Sequence, residues 1–349
     1  MKENFYQERN IKNIEKINKL LEELPPFCTE YFIGIENQTS TLTRLNYAYD
    51  LRIFFHYLTC YVFKDIAIES LTFTELENVS ATTIERFLSY LNHYEYAGSY
   101  HVCNERAKAR KLSSVRAMFK YFFNKDKITV NHTSKIALPK LHDKEIIRLE
   151  GNEIGQLLDC ADSGQGMTNK QQAFHKHTKL RDTAIITLFL GTGIRISELV
   201  GLNNTDINFS TNSFKVVRKG GNEAILYFSD EVAIALQNYI ESKKNNPNIP
   251  EEEQALFLSL QMQRISIRAV ENLVKKYSKI ITPLKKISPH KLRSTFGTQL
   301  YRETQDIYAV ADVLGHRDVN TTKKHYAAIT EDIRKSVANK VTLRKNEEF

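Results

Sequence analysis

Cysteine is scarce and scattered in this chain. Of 349 residues four are cysteines, Cys28, Cys60, Cys103 and Cys160, and no two of them form a CxxC pair. That spacing leaves a zinc knuckle or a dithiol redox motif without support. Reduced thiols in a cytoplasmic protein are the simple reading. Long apolar runs are missing as well. The longest, TAIITLFLGTGI, falls short of the ~18 residues of a membrane span and suits a buried core helix. The N-terminal MKENFYQERN lacks the apolar core of a signal peptide. There is no internal repeat and no low-complexity tract. Paired carboxylates and Cys/His clusters with ligand spacing are also absent, so metal-assisted hydrolysis has little support and no cofactor is expected.

What is present is a basic, core-forming chain. Hydrophobic residues make up 42% and charged ones 26%, enough to bury a real core over what its length suggests are two domains. Forty-nine Lys and Arg against 41 Asp and Glu leave a formal charge of +8. Such an excess suits an acidic partner, a nucleic acid or an anionic membrane surface, although a merely basic soluble protein has the same balance.

Apolar periodicity predicts a helix over 42–63, with Leu45, Tyr49, Ile53 and Tyr57 recurring and Thr39, Ser40 and Thr41 as N-cap candidates. A second fits 81–94, capped by Ser80. A third runs over 102–124, with Val115, Met118, Phe119 and Phe122 apolar and Arg106, Lys108, Arg110, Lys111, Arg116 and Lys120 around them. No carboxylate stands between Arg106 and Asp126, so this helix is read as packing on one side and touching phosphates on the other. A solvated charged face is the plainer alternative. No strand signal precedes residue 125, and the first domain is expected to be all helical. Residues 128–147 read as a linker by composition. Beyond it a short helix fits 151–160, and a polar stretch, SGQGMTNKQQAFHKHTKL, reads as a loop with some helix. A buried helix over 181–190 ends at Gly191-Thr192-Gly193, and another helix runs through Arg195 and Glu198. Strands at 214–218 and 223–228 enclose a turn holding Gly220, Gly221 and Asn222. Helices follow at 230–243, 266–279, 289–304, 307–314 and 330–340.

The second domain concentrates cations. Arg195 follows a Gly-Thr-Gly turn, and Glu198 lies three residues on, within reach of its guanidinium. Lys219 sits at the hairpin tip. His290 and Arg293 stand at i and i+3, behind Pro289, which can open a helix. His316 follows Gly315, and Tyr326 comes ten residues later. Each has a plain explanation taken singly: a surface ion pair, a solvated turn lysine, a helix-start residue, a cap, one of 17 tyrosines. Together they suit attack on a phosphodiester without metal. Fixed arginines stabilise the charge that builds on the non-bridging oxygens. A phenol serves as nucleophile, and a lysine on a hairpin tip can protonate the leaving deoxyribose hydroxyl.

The segments GTGIRISELVGLNNTDINF, VVRKGGN, HKLRSTFGTQL and LGHRDVNTTKKHY resemble, in type and order, those of the tyrosine site-specific recombinases. NERAKARKLSSVRAMFKYFFN resembles the helical core-binding domain of that family. The resemblance spans roughly residues 20–340. It implies a mainly α fold: an all-helical core-binding domain over 1–127, a linker over 128–147, and over 148–349 an α-rich catalytic domain with a small antiparallel β-sheet and a C-terminal tail helix. It further implies Arg195 and Arg293 as phosphate clamps and His290 and His316 as completing the clamp and moving protons. Lys219 would be the general acid, Glu198 a support, and Tyr326 the nucleophile forming a 3′-phosphotyrosyl enzyme. No ATP is needed, because the covalent link keeps the bond energy. The implied partners are a double-stranded recombination site and three further copies, making a homotetramer on two DNA sites.

Two positions depart from the family pattern. Ser294 stands where many members carry a second histidine. The interval from His316 to Tyr326 is ten residues where nine is usual, which puts His325 at the expected tyrosine position. Ten residues of unbroken helix would span ~15 Å, so the chain must fold back, with Asp318 to Thr321 as the break and Asn320 or Thr321 as the next cap. Tyr308 and Tyr301 are weaker nucleophile candidates. In the tail, Ile333, Val337 and Val341 recur every fourth residue, and in this family such a helix docks into a neighbouring subunit. The layout, which leaves no room for an arm-site-binding domain, is most similar to the Xer recombinases of the longer single-recombinase type. These resolve chromosome dimers, and a cell-division DNA translocase is a possible partner. A mobile-element integrase or transposase shares the layout. A relaxing topoisomerase shares the chemistry, and a non-catalytic DNA-binding protein could share the fold.

Overall fold

Residues 5–140, 147–218, 221–244, 246–315 and 319 are described by the computed structural model of the protein. Contacts divide the chain into two units, Met1–Lys144 and Glu145–Phe349.

The first unit is built from α1 (Phe5–Leu21), α2 (Phe27–Gly34), α3 (Thr41–Tyr61), α4 (Phe73–Glu77), α5 (Ala81–Tyr90) and α6 (Glu105–Asn124). The first two were not singled out in the sequence. Ser40 caps α3, its side chain accepting from the Thr43 amide, and Asn104 caps α6 in the same way for Ala107. That cap is why α6 begins at Glu105, not Val102. The helix α3 packs against α1, α5 and α6. It is therefore buried on several sides, and Leu51, Phe54, Phe55 and Leu58 join Leu45, Ile53 and Tyr57 inside. Tyr49 does not: it lies outward, under the Arg52 guanidinium. Phe27, Phe54, Phe55, Phe73, Phe87, Phe119 and Phe122 form a web of edge-on and stacked rings, the geometry that ring quadrupoles favour.

The unit is not all helical, as its sequence suggested. Strands β1 (Tyr94–Tyr96) and β2 (Ser99–His101) pair antiparallel between α5 and α6. Their two-residue turn, Ala97-Gly98, has both residues left-handed. Asn or Asp ordinarily precedes glycine in such a turn, so Ala-Gly gave no hairpin signal. The segment read as linker is packed at its start: Ile128 and Ile136 are buried in this unit's core, and a short 3₁₀ helix occupies His132–Lys135.

Inside the unit one carboxylate is fully buried. Asp50 on α3 accepts from Lys111 Nζ at 3.0 Å, from Ser114 Oγ at 2.8 Å and from the Arg110 guanidinium. Removing one partner of a buried pair strands the other. Asp50→Ala is therefore expected to lower the stability of this unit by about 3–5 kcal/mol, read from urea unfolding followed by circular dichroism. An unchanged midpoint would show that Lys111 finds compensation elsewhere.

The second unit comprises α7 (Gly151–Ser163), α8 (Asn169–Thr192), α9 (Ile196–Gly201), β3 (Ile207–Asn208), β4 (Ser213–Val217), β5 (Glu223–Tyr227), α10 (Asp230–Lys244), α11 (Ile267–Ile281), α12 (Pro289–Thr304) and α13 (Ile307–Leu314). The three strands form an antiparallel sheet in the order β3-β4-β5, with Phe214 opposite Leu226. The polar stretch expected to be mostly loop is instead the first half of α8. Thr168 and Gln171 form a capping box, and no glycine or proline interrupts the helix until Gly191. Its outward residues are solvated, so the apolar period that reveals buried helices is missing there. Residues Ala184–Phe189 are buried all round, with α7, α10 and α12 packed against the helix. Asp182 anchors α11 to α8, accepting from Lys276 Nζ at 2.9 Å and Tyr277 Oη at 2.8 Å. Burial and this carboxylate push the Tyr277 phenol well above its ordinary pKa. Among the described residues no helix is long and apolar enough to cross a membrane.

Candidate active site

The site begins where α8 stops. Gly193 adopts a left-handed conformation, φ +62°, and ends the helix. A Cβ there would lie 2.4 Å from Phe296 Cδ1 and 2.9 Å from Leu314 Cδ2, so glycine is required by space as well as by φ. Two residues on, Arg195 occupies the N-cap of α9. Glu198 then holds it twice: Oε2 accepts from the Arg195 amide at 3.0 Å, and Oε1 accepts from Nη1 at 2.7 Å. The carboxylate is buried, whereas the Arg195 side chain keeps 32% of its surface open to solvent. The arginine is thus oriented from beneath and reachable from above.

Arg293 arrives from α12, which starts with Pro289 at its first position. It is buried and donates to the carbonyls of Gly193 and Leu314. His290, one turn earlier, is exposed. Ser294 bonds back to the His290 carbonyl at 3.0 Å.

The convergence point is the end of α13. Asp306 caps its start, accepting from Tyr308 and Ala309 amides, and Gly315 closes it at φ +60°. Its last carbonyls carry partial negative charge with no intrahelical donor. Arg195 Nη2 donates to Leu314 O at 3.2 Å and Gly315 O at 2.9 Å, and Arg293 shares Leu314 O. A third guanidinium, Arg218, donates to Val313 O at 3.1 Å. Cations from three separate segments meet within one turn of helix, immediately before His316. The sequence gives no signal for Arg218, since nothing in its neighbours predicts contact with a segment 95 residues on.

Lys219, His316 and Tyr326 lie outside the described residues, as do Asp318, Asn320, Thr321, His325 and the tail positions Ile333, Val337 and Val341. Of the weaker tyrosine candidates, Tyr308 is exposed and Tyr301 half-buried.

In the first unit the basic residues of α6 divide. Lys111 is tied to Asp50, Lys108 to Glu105 at 2.8 Å, and Arg116 to the carbonyls of Thr133 and Ile136. Lys108 and Lys111 are buried. Arg106, Arg110 and Lys120 are exposed, Arg110 while also reaching Asp50. The expectation that all six face a phosphate therefore narrows to these three.

The model of the phage integrase family matches residues 148–332. Tyrosine recombinase XerC of Caldanaerobacter subterraneus subsp. tengcongensis is 32% identical over 331 residues, covering 90% of this chain and 86% of the relative. Tyrosine recombinase XerS of Lactococcus lactis subsp. cremoris is 28% identical, covering 93% of this chain and 97% of the relative. Among solved structures, the XerH site-specific recombinase bound to palindromic difH substrate in a post-cleavage complex superposes with a TM-score of 0.64 at 18% identity. That match covers 86% of this chain and 80% of the other. The Tn1549 transposon integrase in complex with circular intermediate DNA gives 0.60 at 20% identity, covering 86% and 94%. Both structural likenesses speak to the fold.

Proposed function

The chain belongs to the phage integrase family and is a tyrosine recombinase of the Xer type, an enzyme that cuts and rejoins DNA, and from that premise we propose that it resolves chromosome dimers at a specific site, using Tyr326 as nucleophile. The observation that carries the site assignment is the meeting of Arg195 and Arg293 on the last carbonyls of α13. Both guanidiniums are fixed by protein oxygens before DNA arrives. They are preorganised for the equatorial oxygens of a five-coordinate phosphorus, where charge develops. Glu198 supports Arg195, and His290 and His316 complete the clamp and move protons. The phenol oxygen of Tyr326 bonds to phosphorus as the bond to the 5′ oxygen breaks. The phenol proton passes to a base, and Lys219 supplies a proton to the leaving oxygen. A 5′-hydroxyl from a partner strand reverses the step, so neither ATP nor hydrolysis is involved.

The unit Met1–Lys144 serves as a core-binding domain and the unit Glu145–Phe349 as the catalytic domain. Arg106, Arg110 and Lys120 on α6 contribute phosphate contacts, which makes affinity fall with salt. The working assembly is a cytoplasmic homotetramer on two DNA sites, with a cell-division translocase as its regulator. The length match to the XerS relative, 97% of that protein, favours the single-recombinase type.

A gene deletion tests the cellular role. Chromosome dimers are expected to accumulate at division, with separation restored by the wild-type gene and not by Tyr326→Phe. If chromosome separation is unaffected and circular forms of a mobile element vanish instead, the role is that of an integrase, a reading the Tn1549 likeness leaves open.

A further inference from the structure

Arg218 has no place in the mechanism above, yet it joins two of its parts. Its backbone closes the β4–β5 hairpin: the Arg218 amide donates to Asn222 O at 2.7 Å, and the Gly221 amide donates back to Arg218 O at 3.1 Å. Its guanidinium leaves the hairpin and binds Val313 O in the last turn of α13. The contact is close. A Cβ on Gly315 would fall 2.2 Å from Arg218 Nη1 and 2.5 Å from Cζ, so the guanidinium lies directly against the glycine backbone.

Stability alone is a poor account of this arrangement. Among the described residues the buried Nε–H of Arg218 has no partner, an unfavourable state for a strong donor. The side chain has no carboxylate partner among the described residues, in contrast to Arg195, which has Glu198. It also adds a third positive charge to a helix end that two arginines already occupy, and partial carbonyl charges offset that repulsion incompletely. What the arrangement does achieve is geometric. It fixes the turn end of the hairpin to the helix end on which Arg195 and Arg293 converge.

We propose that Arg218 is a positioning residue that ties the β4–β5 hairpin to the phosphate clamp and thereby sets the delivery of the leaving-group proton. The inference rests on the assignment of Lys219, the next residue, as general acid. In the cleavage step the P–O5′ bond breaks and O5′ takes a proton from the lysine ammonium. Without the strut the clamp keeps Arg195 and Arg293, while the hairpin loses its tether to that clamp. The defect should then lie in protonation and not in phosphate binding.

Sulfur substitution separates the two. When the 5′ bridging oxygen is replaced by sulfur, the P–S bond breaks to give a thiolate, which leaves without a proton. Wild type, Arg218→Ala, Arg218→Lys and Lys219→Ala are compared on nicked suicide substrates with either atom, scoring covalent attachment. On oxygen, Arg218→Ala and Lys219→Ala are each expected to slow attachment by about 10²-fold or more. Arg218→Lys, which can still reach Val313 O, should slow it less. On sulfur, both alanine variants should come within a few-fold of wild type. Rescue of Lys219→Ala alone would overturn the inference and leave the general acid in place. Rescue of neither would remove the Lys219 assignment and the inference with it. Should Arg218→Ala fold poorly, Arg218→Lys carries the same comparison, and a lysine variant equally slow on both substrates would sink the positioning role.

Discussion

Tyr326→Phe is expected to bind its DNA site and never become attached to it. On a suicide substrate nicked beside the cleavage point, wild type should accumulate as a covalent protein–DNA species. The phenylalanine variant should show none, a loss of more than ~10⁴-fold, as befits removal of a nucleophile that acts in one unit with its neighbours. The change removes one oxygen and keeps the aromatic ring, so binding by gel shift should persist. Attachment surviving in Tyr326→Phe would transfer the role to another residue. Tyr308, exposed at the start of α13, and Tyr301 would be examined next. Binding without attachment by the native protein would contradict the strand-cutting chemistry itself.

Arg195→Ala should produce the next largest loss, about 10²–10³-fold in the rate of attachment. Glu198 accepts from the Arg195 amide and from Nη1, while Nη2 donates to Leu314 O and Gly315 O, so the geometry of the arginine is set before DNA arrives. Such prearranged donors act in the transition state, where the phosphorus carries extra charge. The rate should therefore fall much further than the affinity. Arg195→Lys keeps the charge and loses the planar fork, and should recover only a small part of the loss. A variant that lost affinity and rate in equal proportion would show that Arg195 merely holds the substrate. One that cleaved normally would remove the clamp assignment.

The second unit was the more legible in sequence, because its helices announce their ends. Pro289 opens α12, and Asp306 and Gly315 bracket α13, so both bounds agree with the sequence reading. The sheet register follows from two short apolar strands and the glycines between them. Elements without a packing period were lost: the solvated half of α8, the Ala-Gly hairpin, and α1, whose buried face is only Asn13, Ile17 and Leu20. Long-range pairing was the other blind spot. Which lysines of α6 face solvent depends on Asp50, 61 residues from Lys111, and no local pattern encodes that meeting. Arg195, Glu198 and Arg293 were identified as a group by their residue types and order. The shared attachment of Arg195 and Arg293 to the carbonyl of Leu314 became evident only in three dimensions.

Among the described residues the aromatic core of Met1–Lys144 is drawn from that unit's own chain, between Ile17 and Ile136. It consists largely of helices close in sequence, a topology that folds in milliseconds or less. Translation at about 5–20 residues per second leaves roughly ten to forty seconds before the remaining ~200 residues emerge. The nascent chain can thus finish its first half while the ribosome is still reading the second. A mutation such as Asp50→Ala would reveal itself as a burden on chaperones well before it reached the DNA.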